Sequence, residues 1–501
     1  MNHALWIKGN ILLESNDLDG YNVMPDRHGY MIYSHFCIYM AQLTESQHEY
    51  LSTLGIKFHK DQSQLLAYGH DETEDFVFPP ELVLIPSSAE EISKIMSYCH
   101  EHSIPVTPAG ARTGLSGGAL PLHGGVLISM EKFNQILHID TDNLQVITQP
   151  GVITEVLQQA VKEHGLFYPP DPASKGSCFI GGNVSENSGG PKAVKYGVTK
   201  DYVLNLEVVL PTGEIIWTGA NVLKNATGYN LTQLIVGSEG TLGIITKIVL
   251  RLLPHPTHDV LFLVPFFDAN TACAAVPAIF KAGIIPSGME FMERDALLWA
   301  KAFTGDETIP VADTHQAHLL IELDGFDQDQ LMREAEQLFA VLETFETDEI
   351  LFADTAAQKV ALWNLRRKVG EAVKTQSTYK EEDTVVPRYQ LPNLLTHVKA
   401  VGARYGFKSV CYGHAGDGNL HVNIIRGELS DVQWEQELPK AITELFEEVI
   451  RLGGTISGEH GIGYVQRPYM PLAFPEVTLD LMRSIKKVFD PKGILNPGKI
   501  F

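Results

Sequence analysis

The chain has 501 residues, 44% of them hydrophobic and 20% charged, an ordinary globular composition with enough length for two or more domains. A formal charge of −23 argues against nucleic-acid binding and against a polybasic membrane patch, because both need lysine and arginine to meet phosphates. Cys37, Cys99, Cys178, Cys273 and Cys411 form no CxxC pair, which excludes a cysteine-held iron–sulfur or zinc site and fits buried thiols in a reducing compartment.

No apolar run reaches the roughly 18 residues that a membrane-spanning helix needs, so no integral membrane segment is expected. The nearest N-terminal stretch, 30–41, is broken by Ser34 and His35 and follows an acidic segment instead of a basic one. A cytoplasmic protein is expected, at most peripheral at the inner face of a membrane. Residues 1–39 show no sustained period and read as an extension outside the native fold. MAQLTESQHEYLSTLG, from Met40, has a helical start, with Thr44 as cap and Gln47 three residues on.

ELVLIP (81–86) reads as a buried strand, SSAEEISKIMSYCHEH (87–102) as an amphipathic helix and IPVTPAG (104–110) as the next strand, a parallel β-α-β opening. PAGARTGLSGGALP (108–121) follows, dense in glycine. Its successive backbone N–H groups suit a diphosphate, and it is neither a GxGxxG nicotinamide fingerprint nor a phosphate-binding loop of the GxxxxGK[ST] kind. VITQPGVITEVLQQAVKEHG (146–165) is a strand, a turn at Pro150–Gly151 and a helix. Residues 169–203 are Gly/Ser/Asn-rich and nearly without helical period, and an irregular run of that length inside a domain is usually functional. LNLEVVLPTGEIIW (204–217) is a hairpin, and GSEGTLGIITKIVLRLLP (237–254) closes the segment with a turn and a strand. Beyond 257, LFLVPF and HLLIELDG are strands, each followed by a helix, which suggests an α+β cap of ferredoxin-like character.

Two short runs carry the chemistry. In HAGDGNLHVN (414–423), a Gly-rich turn joins two strands, so His421 and Asn423 project from one face while His414 ends the neighbouring strand. In SGEHGIG (457–463), Glu459 and His460 sit between glycines, where the backbone can approach a ligand closely. His414, His421 and Glu459 make a three-ligand set for a catalytic zinc, or another divalent metal, with an open position; His460 stays beside it as a base.

PAGARTGLSGG, PPDPASKGSCFIGGNVSENSGG, KYG, LEVVLPTGE, GSEGTLGIIT, HAGDGNLHVNI, SGEHGIG and DPKGILNPGK, in order from about Pro79 to Phe501, together resemble the FAD-dependent D-2-hydroxy-acid dehydrogenase family. That family holds glycolate oxidase catalytic subunits, D-lactate dehydrogenases and D-2-hydroxyglutarate dehydrogenases. The resemblance implies an α+β chain: a two-subdomain FAD-binding domain of the vanillyl-alcohol-oxidase type (40–256), an α+β ferredoxin-like substrate cap (257–475) and a C-terminal segment (476–501) returning to the FAD domain.

Carried over position by position, the resemblance puts the FAD diphosphate on Pro108, Gly110, Arg112, Thr113, Gly114, Leu115, Ser116, Gly117 and Gly118. Further cofactor contacts fall on Pro150, Gly151, Pro170, Asp171 and Ser174, and on Gly181, Gly182, Asn183, Asn187 and Gly190. Glu239, Gly240, Gly243, Ile244 and Asn496 complete the set. No histidine lies in the 108–118 loop, so non-covalent FAD is expected. The resemblance gives Arg366 the substrate carboxylate, Asn423 a substrate contact, His460 the proton abstraction, and zinc ligation to His414, His421 and Glu459.

It departs from the hydroxyglutarate pattern at Gly370, where a threonine is expected, and near Lys380, which Glu381, Glu382 and Asp383 follow. A monocarboxylate such as D-lactate or glycolate is therefore the expected substrate, unless Arg388 or Arg426 takes a second carboxylate. The electron acceptor is expected to be a quinone, a cytochrome, a flavoprotein or an iron–sulfur partner subunit; the sequence leaves a homodimer open. An alkyl-glycerone-phosphate-synthase-like transferase would share the flavin fold, but the two His-bearing runs argue against it.

Overall fold

The computed structural model describes residues 43–73, 76–353 and 355–501. The expectations for residues 1–39, and for Met40 itself, lie outside them. The first described element is the helix Glu45–Ser52, capped by the Thr44–Gln47 capping box.

LVLI and VLIS are buried on both faces, which is what a parallel strand under helices requires. Accordingly Leu82–Ile85, Val126–Ser129 and Val106–Ala109 pair in parallel, and Lys57–His59 adds an antiparallel edge. The helix Ala89–His102 covers this sheet with Ile92, Ile95, Met96 and Cys99 at helical spacing, and Ser88 caps it by accepting from the N–H of Glu91. A second, antiparallel sheet has the order Ile136–Asp140, Gln145–Thr148, Ile244–Arg251, Val203–Val209, Ile215–Trp217.

Residues 169–203 are less irregular than their composition suggests. They form the helices Ile180–Glu186 and Ala193–Tyr196 and a 3₁₀ turn at Thr199–Asp201. IGGNVSE is a poor helix by propensity; packing holds it, with Ile180 and Val184 in the core. Gly181 is required there, because a Cβ would overlap Pro150.

Two β-α units understate the cap. Its sheet has seven antiparallel strands: Leu351–Ala353, His258–Phe266, Ala317–Gly325, Gly288–Glu293, Lys408–Gly413, Asn419–Ile425 and Tyr379–Val385. Along His258–Phe266, Val260, Phe262 and Val264 meet one helical layer while Leu261 and Leu263 meet the other, so the sheet is covered on both faces. The segment that carries Arg366 and Gly370 divides into two helices: Ala356–Arg367 ends at Lys368 and Val369–Lys374 starts anew, which turns Val369, Ala372 and Val373 into the same core as Leu362 and Leu365.

Helix Glu476–Phe489 precedes a tail that returns to the first sheet. The N–H of Val106 donates to the Ile494 carbonyl (2.8 Å), and the N–H of Asn496 donates to the Val106 carbonyl (2.7 Å). Charged groups join the 169–203 stretch to the cap. Lys192 pairs with Glu322, Lys195 with Asp324 (2.6 Å), and Arg367 with Asp171 (2.7 Å).

Candidate functional site

The Gly-rich loop leaves the strand Val106–Ala109 and forms one wall of a cleft enclosing about 1350 Å³ of empty space, part of it open to solvent. Of the positions expected to contact FAD, Pro108, Gly110, Arg112, Thr113, Gly114, Leu115, Gly118 and Pro150 line it. Ser174, Gly181, Gly182, Asn183, Glu239, Gly240, Gly243 and Ile244 line it as well. A Cβ added at Gly114 or Gly182 would meet only open space, so the bare backbone faces the cleft. Arg112 lies over the Tyr68 ring at 4.5 Å with its Nε buried and unpartnered. Backbone donors, an unpaired guanidinium nitrogen and a long cleft fit a flavin dinucleotide.

The other expected contacts are not on the cleft wall, and their side chains or backbone support it. The Gly117 N–H donates to Thr73 Oγ1 (2.7 Å), and the Ser116 carbonyl accepts from the N–H of Tyr464 (2.8 Å). The Gly151 N–H donates to the Phe133 carbonyl, and the Pro170 carbonyl accepts from Gln158 Nε2 (2.9 Å). Asp171 is occupied by Arg367 and Lys175, and Gly190, at φ +118°, packs against its backbone. Asn187, at φ 57°, accepts from the Lys200 N–H, and Asn496 Nδ2 donates to the carbonyls of Gly118 (3.0 Å) and Glu239 (2.8 Å).

Glu459 and His460 also line the cleft, at its cap end. There the ligating atoms of His414, His421 and Glu459 all fall within 4.8 Å of one another. Glu459 Oε1 is 3.0 Å from His414 Nε2 and 3.6 Å from His421 Nε2. On the far side of each ring stands a second carboxylate. Glu290 lies 2.8 Å from His414 Nδ1, and Glu381 lies 3.3 Å from His421 Nδ1. The hydrogen bond to Glu290 fixes the His414 tautomer that presents Nε2, the arrangement that orients metal-bound imidazoles, while Glu381 stands at ion-pair distance behind His421. The donor set fits a divalent metal.

The charges of this cluster act on one another. Burial opposes ionisation of Glu459, but His414, His421 and His460 bring its carboxyl down to about 2. Burial likewise disfavours the charged His414, yet Glu290 and Glu459 hold its imidazolium well above the ordinary range. His421 is pushed down by burial, in spite of Glu381, and stays neutral. His460 stacks on His421 with ring centroids 5.1 Å apart; burial lowers it, but Asp383, Glu381 and Glu459 raise it overall.

One buried carboxylate organises the SGEHGIG run. Asp383 Oδ2 accepts from Ser457 Oγ (3.0 Å) and from the N–H groups of Gly458 (2.7 Å), Glu459 (2.8 Å) and His460 (3.0 Å). Its Oδ1 accepts from Asn419 Nδ2 (2.6 Å). Burial alone would raise its pKa, but His460, His421 and these N–H groups depress it far below the carboxylate range.

Arg366 is buried, its Nη2 2.6 Å from Glu290 and its guanidinium over the Tyr412 ring. It is not a free cation: Glu290 ties it to His414, while its Nε remains without a partner. Asn423 is fully buried, and neither its Oδ1 nor its Nδ2 meets a hydrogen-bond partner at good geometry. Lys380 lies on the edge strand opposite Ile424. Glu290, Asp383 and Tyr412 escape a sequence reading. The signal was present for Glu290, an acid inside the apolar strand Gly288–Glu293; an ionisable group in such a run is costly unless paired.

Residues 80–219 match the FAD binding domain family, and residues 255–500 match the C-terminal domain of FAD linked oxidases. The chain is 40% identical over 440 residues to the glycolate oxidase subunit GlcD of Bacillus subtilis, covering 87% of this chain and 92% of that relative. It is 38% identical to a D-lactate dehydrogenase of Anaerostipes hadrus, covering 89% and 96%. Among solved structures, p-cresol methylhydroxylase shares the fold with a TM-score of 0.72 at 18% identity, over 88% of this chain and 93% of that one. The chain therefore belongs to the FAD-dependent D-2-hydroxy-acid dehydrogenase family and is an FAD-linked oxidoreductase with the vanillyl-alcohol-oxidase type of fold.

Proposed function

We propose that this enzyme oxidises a small D-2-hydroxy acid, D-lactate or glycolate, to the 2-oxo acid with assistance from a bound divalent metal. The observation that carries the reading is the gathering of His414, His421 and Glu459 to one point, beside His460, at the cap end of the FAD cleft.

When bound, a metal on these three residues supplies positive charge for the substrate hydroxyl, and FAD supplies the hydride acceptor. The chain's own residues do the rest. Arg366 faces the substrate carboxylate with guanidinium donors suited to that anion, Glu290 holding it in place. Asn423 offers a buried amide that the Tyr412 hydroxyl approaches without a hydrogen bond of good geometry, which leaves it bonding capacity for a polar substrate. His460, in its neutral form, takes the hydroxyl proton. Anaerobic bleaching of the flavin by a panel of D- and L-2-hydroxy acids tests the reading; bleaching by none of them, or by L-acids alone, overturns it.

Substrate size follows from the acids of strand Tyr379–Val385. Asp383 is buried, and Glu381, half-buried, stands beside His421 and the Tyr412 hydroxyl, while Glu382 lies on the other face of the strand and accepts from Gln466. A second substrate carboxylate would meet that charge in a desolvated space. The two spare arginines are engaged elsewhere: Arg388 packs on Phe280, and Arg426 pairs with Asp431. We expect kcat/KM for D-lactate or glycolate to exceed that for D-2-hydroxyglutarate by about 10²-fold, equivalent to about 2.7 kcal/mol. A preference for the dicarboxylate in the same assay would place the distal end of the pocket elsewhere.

Metal analysis should find one divalent ion per chain, lost in His414→Ala while FAD stays bound. Because Glu290 and Glu459 favour the His414 imidazolium and ligation needs the neutral ring, metal binding should release a proton and weaken as the pH falls. Calorimetry in buffers of different ionisation heat measures that proton directly.

The electron acceptor we propose is a separate redox partner: a quinone, a cytochrome, a flavoprotein or an iron–sulfur subunit. The name of the Bacillus relative, a glycolate oxidase subunit, supports a partner protein. Among the described residues Cys99, Cys178, Cys273 and Cys411 are buried, and no candidate ligand group contains a cysteine.

A further inference from the structure

Glu186 ends the helix Ile180–Glu186 and lines the FAD cleft, yet it belongs to neither the metal group nor the expected cofactor contacts. Its carboxyl sits between two functional loops. A Cβ added to Gly118 of the Gly-rich loop would lie 3.0 Å from Oε1, and one added to Gly461, next to His460, would overlap Oε2. Glu239 faces that same space, its Oε1 3.0 Å from the Gly461 position. Two carboxyls thus confront each other across a glycine.

Their hydrogen bonds differ. Glu239 accepts with both oxygens, from the N–H of Ile462 (2.7 Å) and of Gly463 (2.6 Å), which suits a carboxylate. Glu186 Oε2 is buried and has no partner. The nearest cation does not serve it: Lys499 Nζ donates to the Leu120 carbonyl at 2.5 Å and lies 3.3 Å from Asn496 Oδ1. The charged groups that face Glu186 are Glu239, Asp71 and Lys499.

We propose that Glu186 is a cofactor-binding residue that works protonated, donating its carboxylic O–H into the FAD cleft, so that above the pH at which the FAD-free residue ionises FAD binding takes up one proton. Two close carboxyls resist joint ionisation; burial raises Glu239 as well, to about 7, but its two N–H donors favour the charge there and leave the proton to Glu186, which has none. Burial, then Glu239 and Asp71, push the Glu186 carboxyl well above its ordinary range, against Lys499. FAD brings a doubly charged diphosphate to the loop that Glu186 abuts. An ionised Glu186 would repel it; a neutral acid gives it a donor. The balance is simple: carboxylate, one solvent proton and FAD give the neutral acid with FAD bound, and no electron moves.

The sign follows from linkage. A bound diphosphate raises the carboxyl further, so FAD affinity is greatest at low pH and falls, by up to about tenfold per pH unit, once the pH exceeds the FAD-free value. The test follows FAD dissociation from the holoenzyme by the fluorescence of released flavin, from pH 6 to 9. Wild-type Kd should rise with pH, and Glu186→Gln, a permanent neutral donor, should bind FAD with a Kd that changes less than twofold. The infrared spectrum of the holoenzyme should show a protonated-carboxyl carbonyl band that the variant lacks. A flat wild-type Kd overturns the proposal, as does an equal pH slope in the variant. If Glu186→Gln does not fold, the wild-type slope and the infrared band decide alone. FAD failing to bind at any pH would instead sink the cofactor assignment.

Discussion

His460→Ala is expected to lower kcat by about 10²–10⁴-fold, the usual worth of a general base, while leaving FAD bound. His460 lines the cleft, its ring stacked on His421 and its N–H held by Asp383 at 3.0 Å. Its removal takes away the proton acceptor without touching the Gly-rich loop. The pH profile gives a second readout. His460 must lose its proton to act as a base; Asp383, Glu381 and Glu459 favour its imidazolium, and a bound divalent cation opposes it. Turnover should rise with pH as the neutral form gains population in the wild type, and the limb should be absent from the variant. An unchanged rate, or a variant that keeps the limb, removes His460 from the chemistry.

Asp383→Ala is expected to be costlier, abolishing metal binding and activity together. It leaves three N–H groups, those of Gly458, Glu459 and His460, without the acceptor that sets their directions. Truncating one partner of a buried, hydrogen-bonded charge network typically costs about 3–5 kcal/mol. A shift of about 1 Å in a reacting group can by itself cost about 10²-fold in rate. Asp383→Asn, which keeps the shape but loses the charge, should be intermediate. Because the folded pKa is depressed, this stabilisation is complete above the ordinary carboxylate range and is lost only as the pH falls through the lower folded value. Thermal unfolding and metal content on the same samples check the claim. Wild-type metal occupancy in Asp383→Ala would show that other contacts shape the loop.

Much of the fold was legible because it is local. The Thr44–Gln47 capping box, the buried LVLI and VLIS strands and the helix at Ala89–His102 follow from spacing and residue type within a few positions. HAGDGNLHVN reads as strand, turn and strand for the same reason, and the hairpin brings Tyr412 opposite His421. The family resemblance rested on eight such local runs in order.

What only the tertiary structure decided are pairings between distant segments. Glu290 and His414 are 124 residues apart, and Asp383 and His460 are 77 apart. Arg366 reads as a lone cation on a helix until Glu290 is seen against it. Glu381, Glu382 and Asp383 stand together as an acidic run, but the sheet turns their strand inward: Glu381 and Asp383 meet histidines and backbone N–H groups, and Glu382 accepts from Gln466. The helix Ile180–Glu186, with adjacent glycines, forms because a core receives Ile180 and Val184, which no propensity within seven residues discloses. Backbone preference and apolar period act over one or two turns and are written in adjacent residues. The ionisation and orientation of a buried group depend on charges brought close only by folding, so the sequence alone determined which chemistry was available, and the packed structure decided which atoms face it.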